Sequence, residues 1–175
     1  AQGTTIVRNY FMGYDIAGGN TSGNIAIQPG NTMPLTPKHI LKFHADYAWT
    51  PAWQTGLSMT AFSGMYARGN ENNQHQPNGV SYLGSGKTAG YSTVNFNTSY
   101  KSSRDTTWLM NIMNLFNRQY ATSAQMGPTS FNANGTQFVA RPYAVVGGQY
   151  PLQNSMFVAP GAPRSVWLSM RHSFN

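Results

Sequence analysis

The sequence predicts an all-β fold, an antiparallel segment of a transmembrane β-barrel. Three observations predict it. Apolar and polar residues alternate with period two in several stretches, and the segments that connect these stretches are short in some places and long in others. Only 9% of the residues are charged, whereas soluble domains average about 25%. Successive side chains of a strand point to opposite faces, so a sheet of such strands has one apolar and one polar face.

The first strand is predicted over residues 39–49, where the alternation is clearest. The odd-numbered residues are apolar, namely Leu41, Phe43, Ala45, Tyr47 and Trp49. Three of the even-numbered residues between them, Lys42, His44 and Asp46, are polar or charged. We call these two alternating sets the apolar and the polar parity of a strand. Pro51 follows in a tight turn, because proline pre-sets the turn geometry and cannot donate a hydrogen bond to a strand ladder. A second strand is predicted over residues 53–68, with Leu57 and Met59 on its apolar side.

Three further strands are predicted towards the C-terminus. Residues 91–100 place Asn95 and Asn97 on the polar side, and residues 108–112 alternate less cleanly. The last strand covers residues 164–174. Its apolar parity holds Val166, Leu168, Met170 and Phe174, and its polar parity holds Ser165, Ser169, Arg171 and Ser173, with Trp167 as the exception. Residues 5–14 contain the possible end of one more strand.

The connections also indicate an outer-membrane barrel. Those near Pro51 and Ser103 are tight, whereas residues 69–89 and 118–163 form long loops. Outer-membrane barrels have short periplasmic turns and long extracellular loops, and aromatic residues at the strand ends suit the membrane interface. Five strands are fewer than the roughly eight that close such a barrel, and unpaired backbone groups are costly in hydrocarbon. We therefore expect the chain to be part of a larger barrel.

Charge and chemistry exclude several functions. The formal net charge is +7, but the basic residues are scattered over strand ends, turns and loops, so we expect no nucleic-acid partner. Four acidic residues, none spaced as a catalytic pair, indicate no enzyme and no catalytic residue. His39 and His44 point to opposite faces of their strand and cannot share a metal ion. We expect no metal site and no cofactor.

Several stretches of the chain resemble the C-terminal portion of TonB-dependent outer-membrane receptors. They are residues 23–30 with 33–39, residues 68–72 (Arg-Gly-Asn-Glu-Asn), residues 90–95, residues 111–120 (with Asn-Leu-Phe-Asn at 114–117 and Tyr120), and residues 160–164 (Pro-Gly-Ala-Pro-Arg) before the last strand. The chain departs from the family pattern in two ways. Asn70 and Asn117 replace aspartates, and Asn175 follows Phe174 where the family ends on an aromatic residue.

The resemblance implies that residues 1–175 are the C-terminal part of a barrel domain of about 22 strands, without the plug domain. It implies a place in the bacterial outer membrane and the TonB-dependent import of a scarce ligand such as a ferric siderophore. The implied partners are outer-membrane lipid, the barrel-assembly machinery, the protein's own plug domain, TonB and a small-molecule ligand.

Three groups of site residues are predicted. The lumen-facing polar residues are Lys42, His44, Asp46, Asn95, Asn97 and Arg171. The candidate ligand contacts in the extracellular loops are Arg68, Glu71, His75, Tyr82, Tyr120, Arg141 and Tyr143. By the family resemblance, the C-terminal signal for barrel assembly comprises Val166, Leu168, Met170 and Phe174.

Two other functions fit the same alternation. A small passive outer-membrane barrel, complete at this length, would have about eight spanning strands. A soluble β-sandwich that binds a ligand such as a carbohydrate would cover its apolar face with a second sheet. The number of strands and the exposure of the apolar face discriminate between these alternatives and a receptor.

Overall fold

The computed structural model describes residues 5–8, 24–77, 83–131, 137–138 and 153–174. All regular elements in these ranges are β-strands. They are β1 (Thr5–Arg8), β2 (Asn24–Ile27), β3 (Ile40–Thr50), β4 (Trp53–Phe62), β5 (Tyr91–Lys101), β6 (Thr106–Met113), β7 (Ala121–Thr129), β8 (Gln153–Pro160) and β9 (Ser165–His172). The chain divides into two compact units. None of the described segments is a helix of the length and hydrophobicity needed to cross a bilayer.

One unit, which we call the sheet unit, comprises residues 37–63, 89–120 and 160–175. Its five strands form one antiparallel sheet in the order β3-β4-β5-β6-β9. The predicted all-β, antiparallel fold is confirmed, and the five predicted strands are the five strands of this sheet. Among the described strands, β3 and β9 each have one neighbour, so the sheet is open at both edges and does not close into a barrel.

Cross-strand register aligns the apolar parities of all five strands on one face. One row runs Ala45, Leu57, Phe96, Ile112 and Val166, and its neighbours carry Phe43, Met59, Val94, Met110, Leu168, Trp108 and Met170. We call this the apolar face. Most of its large side chains are exposed, including Leu168 at 69%. Local alternation and strand pairing therefore give the same two-faced sheet.

The other unit, which we call the loop unit, comprises residues 1–36, 64–88 and 121–159. It contains the β1-β2 and β7-β8 pairs. Its core consists of Ile25, Ala67, Ala124 and Met126, with Met156 packed against them. Backbone hydrogen bonds from Arg68 N to Ala124 O (2.9 Å) and from Met126 N to Arg68 O (2.8 Å) join residues 67–68 to β7.

Two sequence predictions about element bounds differ from the structure, and a third concerns a range that is described only in part. The strand predicted over residues 53–68 ends at Phe62, because Met65 and Ala67 turn inward and are buried in the loop unit. The predicted loop over residues 118–163 contains β7 and β8. The sequence of β7 includes a glycine and a proline and lacks alternation, so its strand signal is weak. Within the range 5–14, only residues 5–8 are described, and they form β1.

Candidate functional site

The face opposite the apolar face, which we call the polar face, carries all six residues predicted to face a lumen. Lys42, His44 and Asp46 lie on β3, Asn95 and Asn97 on β5, and Arg171 on β9. The register places Asp46 beside Gly56, which pairs in turn with Asn97. The strands β3 and β5 thus contribute polar side chains to one row, on either side of Gly56, as their alternation predicts. That this face lines a lumen remains a prediction.

Gly56 leaves room for the side chains of Asp46 and Asn97, which both occupy the space beside its Cα atom. A Cβ atom at residue 56 would lie 2.4 Å from Asp46 Oδ1 and 2.5 Å from Asn97 Nδ2. Such distances are shorter than van der Waals contact, so a methyl group would displace both side chains. The second carboxylate oxygen of Asp46, Oδ2, lies 2.7 Å from His44 Nε2. A carboxylate, an imidazole and an amide therefore form one cluster.

This cluster is exposed to solvent, so the His44–Asp46 pair contributes little to stability. Of the three inner strands, β4 and β6 carry no charged residue, and β5 carries one, Lys101, at its end. The polar-face residues of β4 and β6 are glycine and hydroxyl, amide and apolar side chains. The polar face therefore combines a charged outer strand with a largely neutral middle. Water or another polar molecule can therefore contact most of the area of the polar face.

Among its described residues, the loop unit holds three that were predicted to contact a ligand, and they play different parts. Arg68 is exposed and lines a cavity of about 320 Å³ together with Leu35, Ser123, Gln125 and Phe157. Glu71 Oε1 instead accepts a hydrogen bond from Gly69 N (2.9 Å) within its own turn. His75 is 5% exposed, and its Nε2 lies 3.0 Å from the carbonyl oxygen of Gly84. Of the three, Arg68 is the one whose side chain is available to a ligand.

Asn70 organises this turn, a role that the sequence did not indicate. It is 2% exposed. Its Nδ2 donates to Gly86 O (3.0 Å), and its Oδ1 accepts from His75 N (3.1 Å). The available signal was its position in the Arg-Gly-Asn-Glu-Asn turn, where asparagine replaces the family's aspartate. An amide can donate and accept at once, which an ionised carboxylate cannot.

Among the other predicted contact residues, Tyr120 is the one that the structure describes. Tyr120 belongs to the sheet unit, where its ring stacks on that of Tyr91 with centroids 4.3 Å apart. Tyr82, Arg141 and Tyr143 lie outside the described residues. The structure therefore brings Arg68, Glu71 and His75 into one turn and assigns Tyr120 to a different unit.

The predicted assembly signal lies along one edge of the sheet. Val166, Leu168 and Met170 project from the apolar face of β9 and are exposed. Phe174 follows this strand, is 90% exposed, and contacts the ring of His172 edge-on at 4.6 Å between centroids. The geometry is that of an open edge strand with an alternating apolar row. Its recognition by assembly factors remains a prediction.

No protein-family model matches the chain, and no curated protein matches it. Solved structures do match. The closed form of the ferric-catecholate import receptor Fiu from E. coli K12 is 21% identical over 90% of this chain and 16% of that chain, with a TM-score of 0.46. The copper transporter OprC is 18% identical over 83% of this chain and 18% of that chain, with a TM-score of 0.45.

A mutant of the ferric enterobactin receptor PfeA from Pseudomonas aeruginosa is 16% identical over 79% of this chain and 17% of that chain, with a TM-score of 0.46. The likeness concerns the fold. The chain spans 16 to 18% of the length of these proteins. The matched structures are TonB-dependent receptors, the class that the sequence motifs resemble.

Proposed function

We propose that the sheet unit is part of the wall of an outer-membrane β-barrel, the C-terminal part of a TonB-dependent receptor that imports a scarce small ligand. One observation carries the proposal. The apolar rows of five paired strands form a continuous face whose large side chains are exposed. A water-facing patch of this extent is rare in soluble monomers, whereas hydrocarbon is the solvent that suits it.

Strand length and edge chemistry support the same proposal. A transmembrane strand needs about 9–11 residues, and β3, β4 and β5 have 11, 10 and 11. The open edges of β3 and β9 must pair with further strands in a membrane, because unpaired N–H and C=O groups are costly in lipid. By the family resemblance, those further strands belong to the rest of a barrel of about 22 strands. The exposed apolar face weighs against a soluble sandwich, which would bury it.

For the intact protein we propose TonB-dependent uptake, with its plug domain, TonB and outer-membrane lipid as partners. Ferric siderophores are the ligands to test first, because the sequence motifs resemble receptors of that kind. Within the loop unit, Arg68 is the proposed ligand contact, since it is exposed beside a cavity. Glu71 and His75 are proposed to shape its turn through their hydrogen bonds.

The C-terminal row is proposed to serve barrel assembly. Val166, Leu168 and Met170 are exposed on one face of an open edge strand, and Phe174 extends beyond it. Such a row can be paired by another strand without unfolding the sheet, because its backbone groups are unpaired on one side. Replacing Phe174 with serine is expected to lower the amount of assembled protein in the outer membrane, with Ser173→Ala as the control.

The wall assignment can be tested by site-specific labelling, because the chain has no cysteine. Neighbouring residues of opposite parity are replaced by cysteine in pairs, namely Phe43 with His44, Leu57 with Ser58, and Leu168 with Ser169. Each variant of the complete protein is labelled with a small fluorophore in lipid vesicles. We expect brominated lipids to quench the label at the first residue of each pair, and aqueous iodide to quench it at the second. Equal quenching by iodide within all pairs would reject the wall assignment.

Import is tested with radioactive iron carried by enterobactin or ferrichrome. Cells that contain the complete protein are expected to accumulate the label, and an uncoupler of the proton gradient should stop this accumulation. Arg68→Ala should lower uptake, whereas Arg104→Ala, an exposed arginine in the turn before β6, should not. Equal uptake in cells that lack the protein would contradict iron import and leave the wall assignment intact.

A further inference from the structure

Trp167 is the aromatic exception on the polar face of β9. The register pairs it with Asn111 of β6, and Ser165 and Ser169 flank it on the same face of its strand. The ring is 52% exposed. Unlike Trp49 and Trp53, whose indole N–H groups donate to threonines, Trp167 makes no hydrogen bond within the described residues. A large, half-exposed ring on a polar face is not explained by a lipid-facing wall.

Trp167 lines two cavities of the sheet unit. One, of about 290 Å³, is lined by polar Ser58, Asn95, Asn97 and Asn111 and by apolar Phe96, Ile112 and Met113. The other, of about 370 Å³, is mostly apolar, with Met113, Tyr120, Ala162 and Pro163 beside polar Thr93, Asn95, Asn114 and Ser165. Small-molecule sites have volumes from about 300 Å³ upwards. The larger cavity reaches that size and the smaller one lies at its lower limit. Trp167, Asn95 and Met113 belong to both.

Two of the groups that line these cavities, Asn95 and Tyr120, are held in place. Asn95 Oδ1 accepts a hydrogen bond from Asn114 N (2.9 Å), which leaves the Asn95 NH₂ group without a partner among the described residues. The ring of Tyr120 stacks on Tyr91 and lies against Gly161, where a Cβ atom would be 2.1 Å from the ring. Because these contacts fix the groups before any ligand arrives, little ordering remains to be done on binding.

No charged side chain is among the residues that line either cavity. The negative face of an aromatic ring attracts partially positive C–H groups, and amides pair with hydroxyls both as donors and as acceptors. An ion would lose its hydration here without gaining an opposite charge. The lining therefore favours a neutral molecule that offers C–H faces and hydroxyl groups.

We propose that Trp167, with Tyr120, Asn95 and Asn111, binds a neutral, hydroxyl-rich small molecule, of which a saccharide is the simplest example. The inference rests on the proposed function, because this face lines a lumen only if the sheet is a barrel wall. It narrows the imported ligand to one with a neutral, hydroxyl-rich portion. The ring stacks on that portion, and the amides bond its hydroxyls.

The test uses the complete protein, purified from the outer-membrane fraction in a detergent without a sugar headgroup. Maltotriose, mannotriose and a galactose-based trisaccharide are titrated by calorimetry. We expect at least one to bind, and Trp167→Ala to weaken it about tenfold. Asn111→Ala should weaken binding less. Trp167→Phe, which keeps a ring, should retain part of the affinity, and Ser169→Ala, on the same face of the same strand, should bind as the parent does.

The outcomes separate this inference from the proposed function. Heat-dependent migration in gels shows whether each variant is folded. If the folded parent binds none of the trisaccharides, or if folded Trp167→Ala binds as tightly as the parent, the saccharide site is wrong although the protein sits in the outer membrane. If the protein fractionates elsewhere, the wall assignment is wrong, and titration of the protein purified from that other fraction still decides whether the site exists.

Discussion

The indole rings of Trp49 and Trp53 stack across the turn that joins β3 to β4, with centroids 5.5 Å apart and planes inclined by 24°. Each indole N–H also has a partner, since Trp49 Nε1 donates to Thr55 Oγ1 and Trp53 Nε1 to Thr98 Oγ1, both at 3.0 Å. Both rings belong to the apolar parity at the strand ends. Rings with apolar faces and satisfied N–H groups suit the interface between lipid and water.

We expect the two rings to stabilise each other by about 0.5–1.5 kcal/mol, the usual coupling of an aromatic pair. A double-mutant cycle of Trp49→Ala and Trp53→Ala, measured by urea unfolding of the complete protein in vesicles, gives this coupling energy. A second cycle of Trp49→Ala and Trp108→Ala serves as the control. Trp108 lies on β6, three strands away from β3, which carries Trp49, so its coupling to Trp49 should be near zero. Equal couplings in the two cycles would show that the stacking has no energetic role.

Leu57 and Ser58 are neighbours on β4 that face opposite sides of the sheet. If the apolar face meets the bilayer, Leu57→Arg places a charge in hydrocarbon and should cost about 2–4 kcal/mol near the midplane. Ser58→Arg places the same charge on the polar face and should cost much less. Refolding titrations in lipid vesicles measure both free energies. A larger loss for Ser58→Arg would reverse the assignment of the two faces.

Gly56→Ala should destabilise the sheet by less than about 1 kcal/mol, because the groups that it displaces are the ends of flexible side chains on a solvent-accessible face. The added methyl group would overlap Asp46 Oδ1 and Asn97 Nδ2. Shortening one of these side chains in the Gly56→Ala background, by Asn97→Ala, should recover part of the loss. The free energy of unfolding of the single and double variants tests this. Strictly additive effects would mean that the residues do not compete for the same space.

Asn70→Asp should destabilise the loop unit, although aspartate is the family's residue in this turn. The Asn70 NH₂ group donates to Gly86 O from a buried position, and an ionised carboxylate would set oxygen against oxygen there. Leaving a buried partner unpaired costs about 1–3 kcal/mol. Gln74→Glu makes the same change at an exposed residue of the same turn and is the control.

Amide hydrogen exchange of His75, whose N–H is bonded to Asn70 Oδ1, reports on the integrity of the turn. We expect exchange to accelerate in Asn70→Asp and to stay unchanged in Gln74→Glu. Unchanged exchange in both variants would mean that the family's aspartate is tolerated and that the amide donor is dispensable.

Alternation predicted the five strands of the sheet unit to within a few residues at most ends, as with residues 39–49 against the observed Ile40–Thr50. Alternation failed to predict β7 and β8. Their short sequences do not alternate, and each of the two strands pairs only with the other among the described strands. Alternation also extended β4 beyond Phe62, because the burial of Met65 and Ala67 in another unit leaves no mark on the local pattern.

The candidate sites show the same division. Parity alone assigned Lys42, His44, Asp46, Asn95, Asn97 and Arg171 to one face. It did not reveal that the side chains of Asp46 and Asn97 both occupy the space beside Gly56, because that arrangement requires the register of three strands. Residue type suggested His75 as a ligand contact, and its burial in a hydrogen-bonded turn became visible only with the fold.

The amino-acid order by itself determined which side chains share a face of each strand, because the two-residue period of an extended backbone is local and needs no partner. The tertiary structure alone decided that β9 pairs with β6, and so brought Trp167 beside Asn111 and the cavity that Tyr120 lines. Whether two strands far apart in the chain pair depends on the free energy of all the hydrogen bonds and packing contacts between them. That free energy cannot be read from any short stretch of sequence.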